Sequence, residues 1–154
     1  MQSLVADDVR AAMAALAREA KADTTRYLLV GVGATASIAV QAAQRDRRAR
    51  LLMLVSPAPS PVDRGVMHAT VAELRRPVYF QSAGDDVSTW ALIDVLYRAC
   101  DQSASRVSES EKWGSDATLF RFDPKILVRF KQWLSESWPP PGRRATPPSR
   151  PRKG

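Results

Sequence analysis

Eighteen consecutive residues, Tyr27 to Gln44, carry no charge. That length approaches a membrane span, so the run has to be buried somewhere. Its interior argues against a bilayer. Thr35, Ser37, Gln41 and Gln44 are polar, and Gly31-Val32-Gly33 is a turn signal near the middle. The run therefore divides into a strand, Tyr27-Leu28-Leu29-Val30, a tight turn, and an alanine-rich helix ending near Arg45. A short, continuous apolar strand of this kind is buried on both faces.

The same unit recurs along the chain. Arg50 to Val55 is a second buried strand, followed by a proline-rich loop from Ser56 to Pro61 and a short helix from Gly65 to Arg75. Pro77-Val78-Tyr79-Phe80-Gln81 is a third strand. Ser88 is placed to cap a helix from Thr89 to Cys100. Arg106 to Glu111 is a weaker fourth strand, and Asp123-Pro124 is a cap-and-proline helix start. Ile126, Leu127, Phe130, Trp133, Leu134 and Trp138 then line one face of the last helix. Ahead of the first strand, Val9, Ala12, Met13, Leu16 and Ala20 form a helical stripe, with Asp7 and Asp8 at its positive end. Alternating strands and helices predict an α/β fold: a parallel sheet of about four strands with helices on both faces.

Charge narrows the partners. The net charge is +7, but residues 139–154 hold Arg143, Arg144, Arg150, Arg152 and Lys153 with no acid, which leaves the rest at +2. Six of the 11 prolines fall in the same stretch. Proline density and like charge oppose a packed core. The expected organisation is a folded domain over 1–138 and a disordered basic tail over 139–154, whose partner would be an acidic surface. Pro148-Ser149-Arg150-Pro151-Arg152-Lys153 also has the spacing that polyproline-binding grooves accept. Arg45, Arg47, Arg48 and Arg50, broken by Asp46, read as a solvated helix end rather than a nucleic-acid footprint. One cysteine, Cys100, and one histidine, His68, exclude a disulfide framework or a metal centre built from Cys and His of this chain. The first residues lack the basic start and apolar core of a signal peptide, so a cytoplasmic location is expected. No cofactor is expected.

In parallel sheets, ligands gather at the carboxyl ends of the strands. The first such turn, Gly31-x-Gly33-x-x-Ala36, partly matches a dinucleotide fingerprint. The acid that should end the next strand is absent, since that strand closes Val55-Ser56-Pro57. A nucleotide-binding module using Gly31 and Gly33 therefore stands as an alternative.

The ordered series of motifs from Asp7 to Trp138 resembles the carboxyl-terminal half of an α/β-hydrolase. In particular it is similar to dienelactone-hydrolase-like and peptidase-like members. The series comprises a helix beginning Asp-Val, the strand-elbow-helix unit and a strand ending Leu-Val-Ser-Pro. Arg64-Gly65-Val66, Arg76-Pro77-Val78, Asp85-Asp86, Trp113-Gly114-Ser115-Asp116 and Asp123-Pro124 complete it. The resemblance implies a nucleophile elbow, G-x-S-x-G, where this chain has Gly31-Val32-Gly33-Ala34-Thr35. Gly33 then stands at the nucleophile, Trp113 at the general base, and Asp86 (or Asp85) at the acid. Ala34 would supply one oxyanion N–H; the other would come from a strand ahead of residue 1. Thr35 is expected to crowd the elbow, and Trp113 to fill part of the former pocket.

Other candidate groups have ordinary explanations. Ser37 sits on a helix, Ser56 in a turn, His68 on a solvated helix, and Cys100 in packing. Trp90, Trp113, Trp133 and Trp138 suit core or interface positions. The expectation is a degenerate, non-catalytic hydrolase homologue that binds a partner or small ligand. An active hydrolase completed by another chain is the second alternative. With no earlier strand beside Tyr27–Val30, that edge is expected to pair with a second copy or with the missing half.

Overall fold

The apolar runs at 49–55 and 78–83 become interior strands, because side chains of a strand point alternately to its two faces and both faces are covered there. The run at 27–32, expected to be buried on both faces, lies at the sheet edge with Val30 51% exposed. The computed structural model describes residues 2–19 and 23–138, with backbone only for residues 2–6. Four parallel strands, β1 (Tyr27–Val32), β2 (Ala49–Val55), β3 (Val78–Ala83) and β4 (Arg106–Ser110), lie in the spatial order β1-β2-β3-β4. Helices α2 (Ala36–Arg45), α3 (Pro61–Leu74) and α4 (Val87–Ala99) form the crossovers. Helix α1 (Gln2–Glu19) precedes the sheet; α5 (Leu119–Phe122) and α6 (Lys125–Ser137) follow it.

Right-handed crossovers that all step in one direction leave their helices on one face. Accordingly, Val40 of α2, Met67 of α3 and Ile93 of α4 share a core with Leu52, Leu54, Val78 and Phe80. Met13 of α1 packs against the same core. On the other face, Leu51, Met53, Val55 and Tyr79 meet Leu119 of α5 and Ile126 and Trp133 of α6. Tyr79 makes an edge contact with Phe130 and a tilted one with Trp133, at centroid distances of 5.5 and 5.3 Å. The protein is thus an α/β fold with helices on both faces of a parallel sheet.

Several boundaries differ from the sequence reading. Strand β1 runs two residues further, to Val32, because Gly31 and Val32 stay in register with Leu54 and Val55. Helix α3 starts at Pro61 rather than Gly65: Ser60 caps it, accepting a hydrogen bond from the Asp63 N–H at 3.2 Å, and Pro61 takes the first position. Asp86, not Ser88, caps α4, accepting from the Thr89 N–H at 3.0 Å. Helix α1 begins at Gln2, so Asp7 and Asp8 fall inside it and lose the end-of-helix role. Leu127 is 42% exposed and stands off the stripe of α6.

Arg76, just ahead of β3, reaches back to the end of α2. One guanidinium nitrogen donates to the carbonyls of Ala43, Asp46 and Ala49. Burial, followed by the nearby Arg50 charge, pushes its pKa down from the ordinary value. The tail assigned to residues 139–154 lies outside the described residues. Among the described residues, no helix is long and apolar enough to cross a membrane.

Candidate functional site

The carboxyl ends of β1, β2 and β4 converge on one small region. Gly33 sits at the strand-to-helix turn with φ +55°, a left-handed conformation that costs glycine nothing. Ser56, directly after β2, has φ +42°, and Asp116, in the loop after β4, has φ +55°. These three positions are tied together. The Asp116 N–H donates to Ser56 Oγ at 3.1 Å, and the Ala58 N–H donates to the Gly33 carbonyl at 3.0 Å. A β-carbon built on Gly33 would lie 2.8 Å from Asp116 Oδ1. The Asp116 carboxylate therefore occupies the space that a side chain at position 33 would enter. Two non-glycine residues with positive φ are uncommon, and such strain clusters at functional sites.

Gly31 has a different reason for being glycine. A β-carbon there would meet the Ala36 Cα at 2.7 Å and the Ala39 Cβ at 2.8 Å. Close packing of α2 on β1 thus accounts for this glycine without any ligand. Thr35, expected to crowd the elbow, points outward instead. Its hydroxyl accepts from the Val32 N–H at 3.0 Å and donates to the Val32 carbonyl at 2.8 Å, closing the turn. Ala34 is exposed on the same turn.

Trp113 does not fill a pocket. It is 82% exposed, since the loop after β4 carries its ring outward while Asp116 turns in. Asp86 is engaged as the α4 cap and also accepts from the Ser88 hydroxyl at 2.9 Å and the Thr89 hydroxyl at 2.6 Å. Burial opposes its charge, but these bonds outweigh that and hold the carboxyl below its ordinary pKa. Asp85, by contrast, lines an open cleft of about 530 Å³ together with Trp113, Glu109 and Glu111.

The remaining candidates stay apart from this region. Ser37 is buried, its hydroxyl donating back to the Ala34 carbonyl at 3.3 Å. His68 is exposed on α3. The Cys100 thiol donates to the Tyr97 carbonyl at 3.2 Å and packs against the helical core. The Trp133 indole N–H donates to the Ala104 carbonyl at 2.9 Å. Asp46 is bound by Arg48 at 2.7 Å, so the arginine run begins with a local ion pair. Among the described residues, no group of His, Cys, Asp and Glu is placed to hold a metal ion.

Asp123 does more than start α6. One oxygen accepts from the Lys125 N–H at 3.0 Å; the other accepts from the Ser110 hydroxyl at 3.1 Å and from Arg129 at 3.3 Å. Arg129 also donates to Ser108 Oγ and to the Glu109 carbonyl, so α6 is anchored to β4. Burial raises the cost of the Asp123 charge, but the bonds from Ser110, Lys125 and Arg129 prevail and depress its pKa. A depressed carboxyl stabilises the fold above the unfolded value of about 4, and that contribution disappears as pH falls through the folded value. Asp123→Asn is expected to cost roughly 1 kcal/mol at neutral pH: the amide oxygen still caps and Arg129 keeps Ser108 and the Glu109 carbonyl, so what is lost is the charged acceptor. It should also shrink the further loss seen between about pH 5 and about pH 3 relative to wild type. Thermal melts across that range check both effects.

The sequence reading missed Asp116, whose role depends on a loop from one end of the chain meeting an elbow from the other. The small residues of Gly114-Ser115-Asp116 were the available sign of a sharp turn, and Gly114 does adopt φ +136°.

No family model matches this sequence, and no curated protein matches it. Among solved structures, the fold is similar to the esterase domain of a Rhodothermus marinus protein, at 12% sequence identity and a TM-score of 0.61. The likeness covers 82% of this chain and 67% of that one. At that identity it establishes the fold alone: a parallel α/β sheet with helices on both faces.

Proposed function

We propose that this chain is a non-catalytic domain of α/β-hydrolase type that acts by binding a partner through β1. The observation that carries this reading is Gly33 with the Asp116 carboxylate 2.8 Å from where its β-carbon would be. Gly33 has the strained strand-to-helix position that an elbow nucleophile takes. It offers no nucleophile, and an acid stands in the space. Trp113, at the position matched to the general base, has no proton acceptor and is turned to solvent.

Purified protein is expected not to hydrolyse short acyl esters above a buffer blank. Gly33→Ser combined with Trp113→His is expected to recover little. A serine at φ +55° is strained, and Asp116 would be its immediate neighbour. Wild-type turnover that vanishes in Ser37→Ala or Ser56→Ala would overturn this reading. Strong recovery in the double variant would keep the hydrolase relationship but refute the idea that Asp116 blocks the elbow.

Partner binding rests on the sheet edge. Among the described residues, β1 pairs with β2 on one side only. Val30 is 51% exposed on the α6 face of that strand. An apolar strand with unpaired N–H and C=O groups invites augmentation. The expected partner is a second copy, in an antiparallel β1–β1 contact across a twofold axis. Light scattering at high micromolar concentration should report a dimer, and Val30→Lys should shift it to monomer. A wild-type monomer whose β1 amides resist hydrogen exchange would defeat the proposal. The second reading, a hydrolase completed by another chain, draws on the same edge and on the third of the esterase domain that this chain does not match. It predicts a heteromer and ester turnover only after mixing.

A further inference from the structure

Beside the candidate site, the loop after β4 and the short α5 expose two aromatic rings together. Trp113 is 82% exposed and Phe122 is 54% exposed, and both line a groove of about 600 Å³ with Gly114. A largely exposed tryptophan beside a half-exposed phenylalanine is unusual for a surface without a ligand. The groove opens onto the cleft that holds Asp85, Glu109 and Glu111, and Lys112 lines both. Three carboxylates against one ammonium give this surface a negative balance, although the chain as a whole is +7.

We propose that this groove binds the chain's own basic, proline-rich segment, residues 148–153, in cis. Extended proline-rich chains dock on aromatic-lined grooves because their backbone is already ordered, and flanking acids select adjacent basic residues. Pro148 and Pro151 supply the apolar ridges, while Arg150, Arg152 and Lys153 supply the charge. The described chain stops at Trp138, beside Arg26 at the opening of β1. Returning along α6 to the carboxyl ends of β3 and β4 takes about 20 Å, at about 1.5 Å per helical residue. Crossing the sheet adds up to about 14 Å, at about 4.8 Å per strand. A proline-rich chain at about 3.1 Å per residue covers that diagonal in roughly eight residues, so Pro148 to Lys153 are within reach. Tethering also gives the segment a high effective concentration, so modest contacts suffice. The inference stands whether or not the elbow is catalytic and whether or not β1 recruits a second copy.

The test uses the full chain labelled with nitrogen-15. The Trp113 indole resonance, assigned through Trp113→Phe, is compared between wild type and a variant carrying Arg150→Glu, Arg152→Glu and Lys153→Glu. The Trp113 indole and Gly114 amide signals are expected to shift by more than a linewidth, while the Trp133 indole stays in place. Added salt should move the wild-type signals along the same path, because the contact is partly ionic. A peptide of residues 143–154 added to the variant should restore the wild-type positions. Identical Trp113 and Gly114 signals in the two proteins would overturn the proposal. A wild-type shift that fades on dilution would overturn it equally, by assigning the groove to another copy's tail.

Discussion

Gly31→Ala is expected to destabilise the fold by about 3 kcal/mol, at the upper end of what one added methyl costs in a packed core. The reason is the position of the obstacle. The new β-carbon would meet the Ala36 Cα at 2.7 Å, and backbone cannot rotate away as a side chain can. Helix α2 would have to lift from β1, loosening Ala36, Ala39 and Val40 in the main core. Trimming Ala39 to glycine would relieve only the second contact, and a glycine inside α2 costs about 1 kcal/mol itself. The double variant should therefore be no more stable than the single one. Denaturant midpoints measure this directly. An unchanged midpoint would mean that α2 is free to shift, and would reopen a ligand-based reason for the glycine.

Arg76→Met should cost about 2 kcal/mol and lower the melting temperature by about 8 °C. Methionine keeps much of the aliphatic packing but offers no donor. The carbonyls of Ala43, Asp46 and Ala49 would lose their shared partner at the place where α2 turns into β2. Arg76→Lys should fall between the two, since one ammonium lacks the fixed fork of the guanidinium. Equal melting temperatures for the methionine variant and wild type would show that water satisfies these carbonyls.

Much of the fold was legible because it depends on local pattern. Apolar runs at Tyr27–Val30, Arg50–Val55 and Pro77–Gln81 announced buried strands, and those runs are strands of one parallel sheet, the first of them at its edge with Val30 exposed. The elbow turn was marked by Gly31 and Gly33. Caps were less secure, because Ser88 and Asp86 both suit the role and only the backbone path selects Asp86. The start of α3 was hidden by its own proline, which reads as a loop residue until Ser60 is seen to cap it.

The candidate site was legible only in part, and the division has a physical basis. That position 33 carries no nucleophile and position 113 no proton acceptor is a matter of residue identity, glycine and tryptophan, and is read from the sequence alone. What surrounds those residues depends on contacts between segments far apart in the chain. Asp116 reaches Gly33 and Ser56 only because the parallel sheet brings three carboxyl ends together. Trp113 looked like a pocket filler by size, yet loop direction, set by the turn at Gly114 and the anchoring of Asp116, carries it to the surface. Arg76 had no distinguishing neighbour in sequence; its three carbonyl partners exist only once α2 and β2 are folded. Side-chain chemistry and periodicity are properties of the sequence, whereas the direction of a loop and the partner of a charge are decided by tertiary packing.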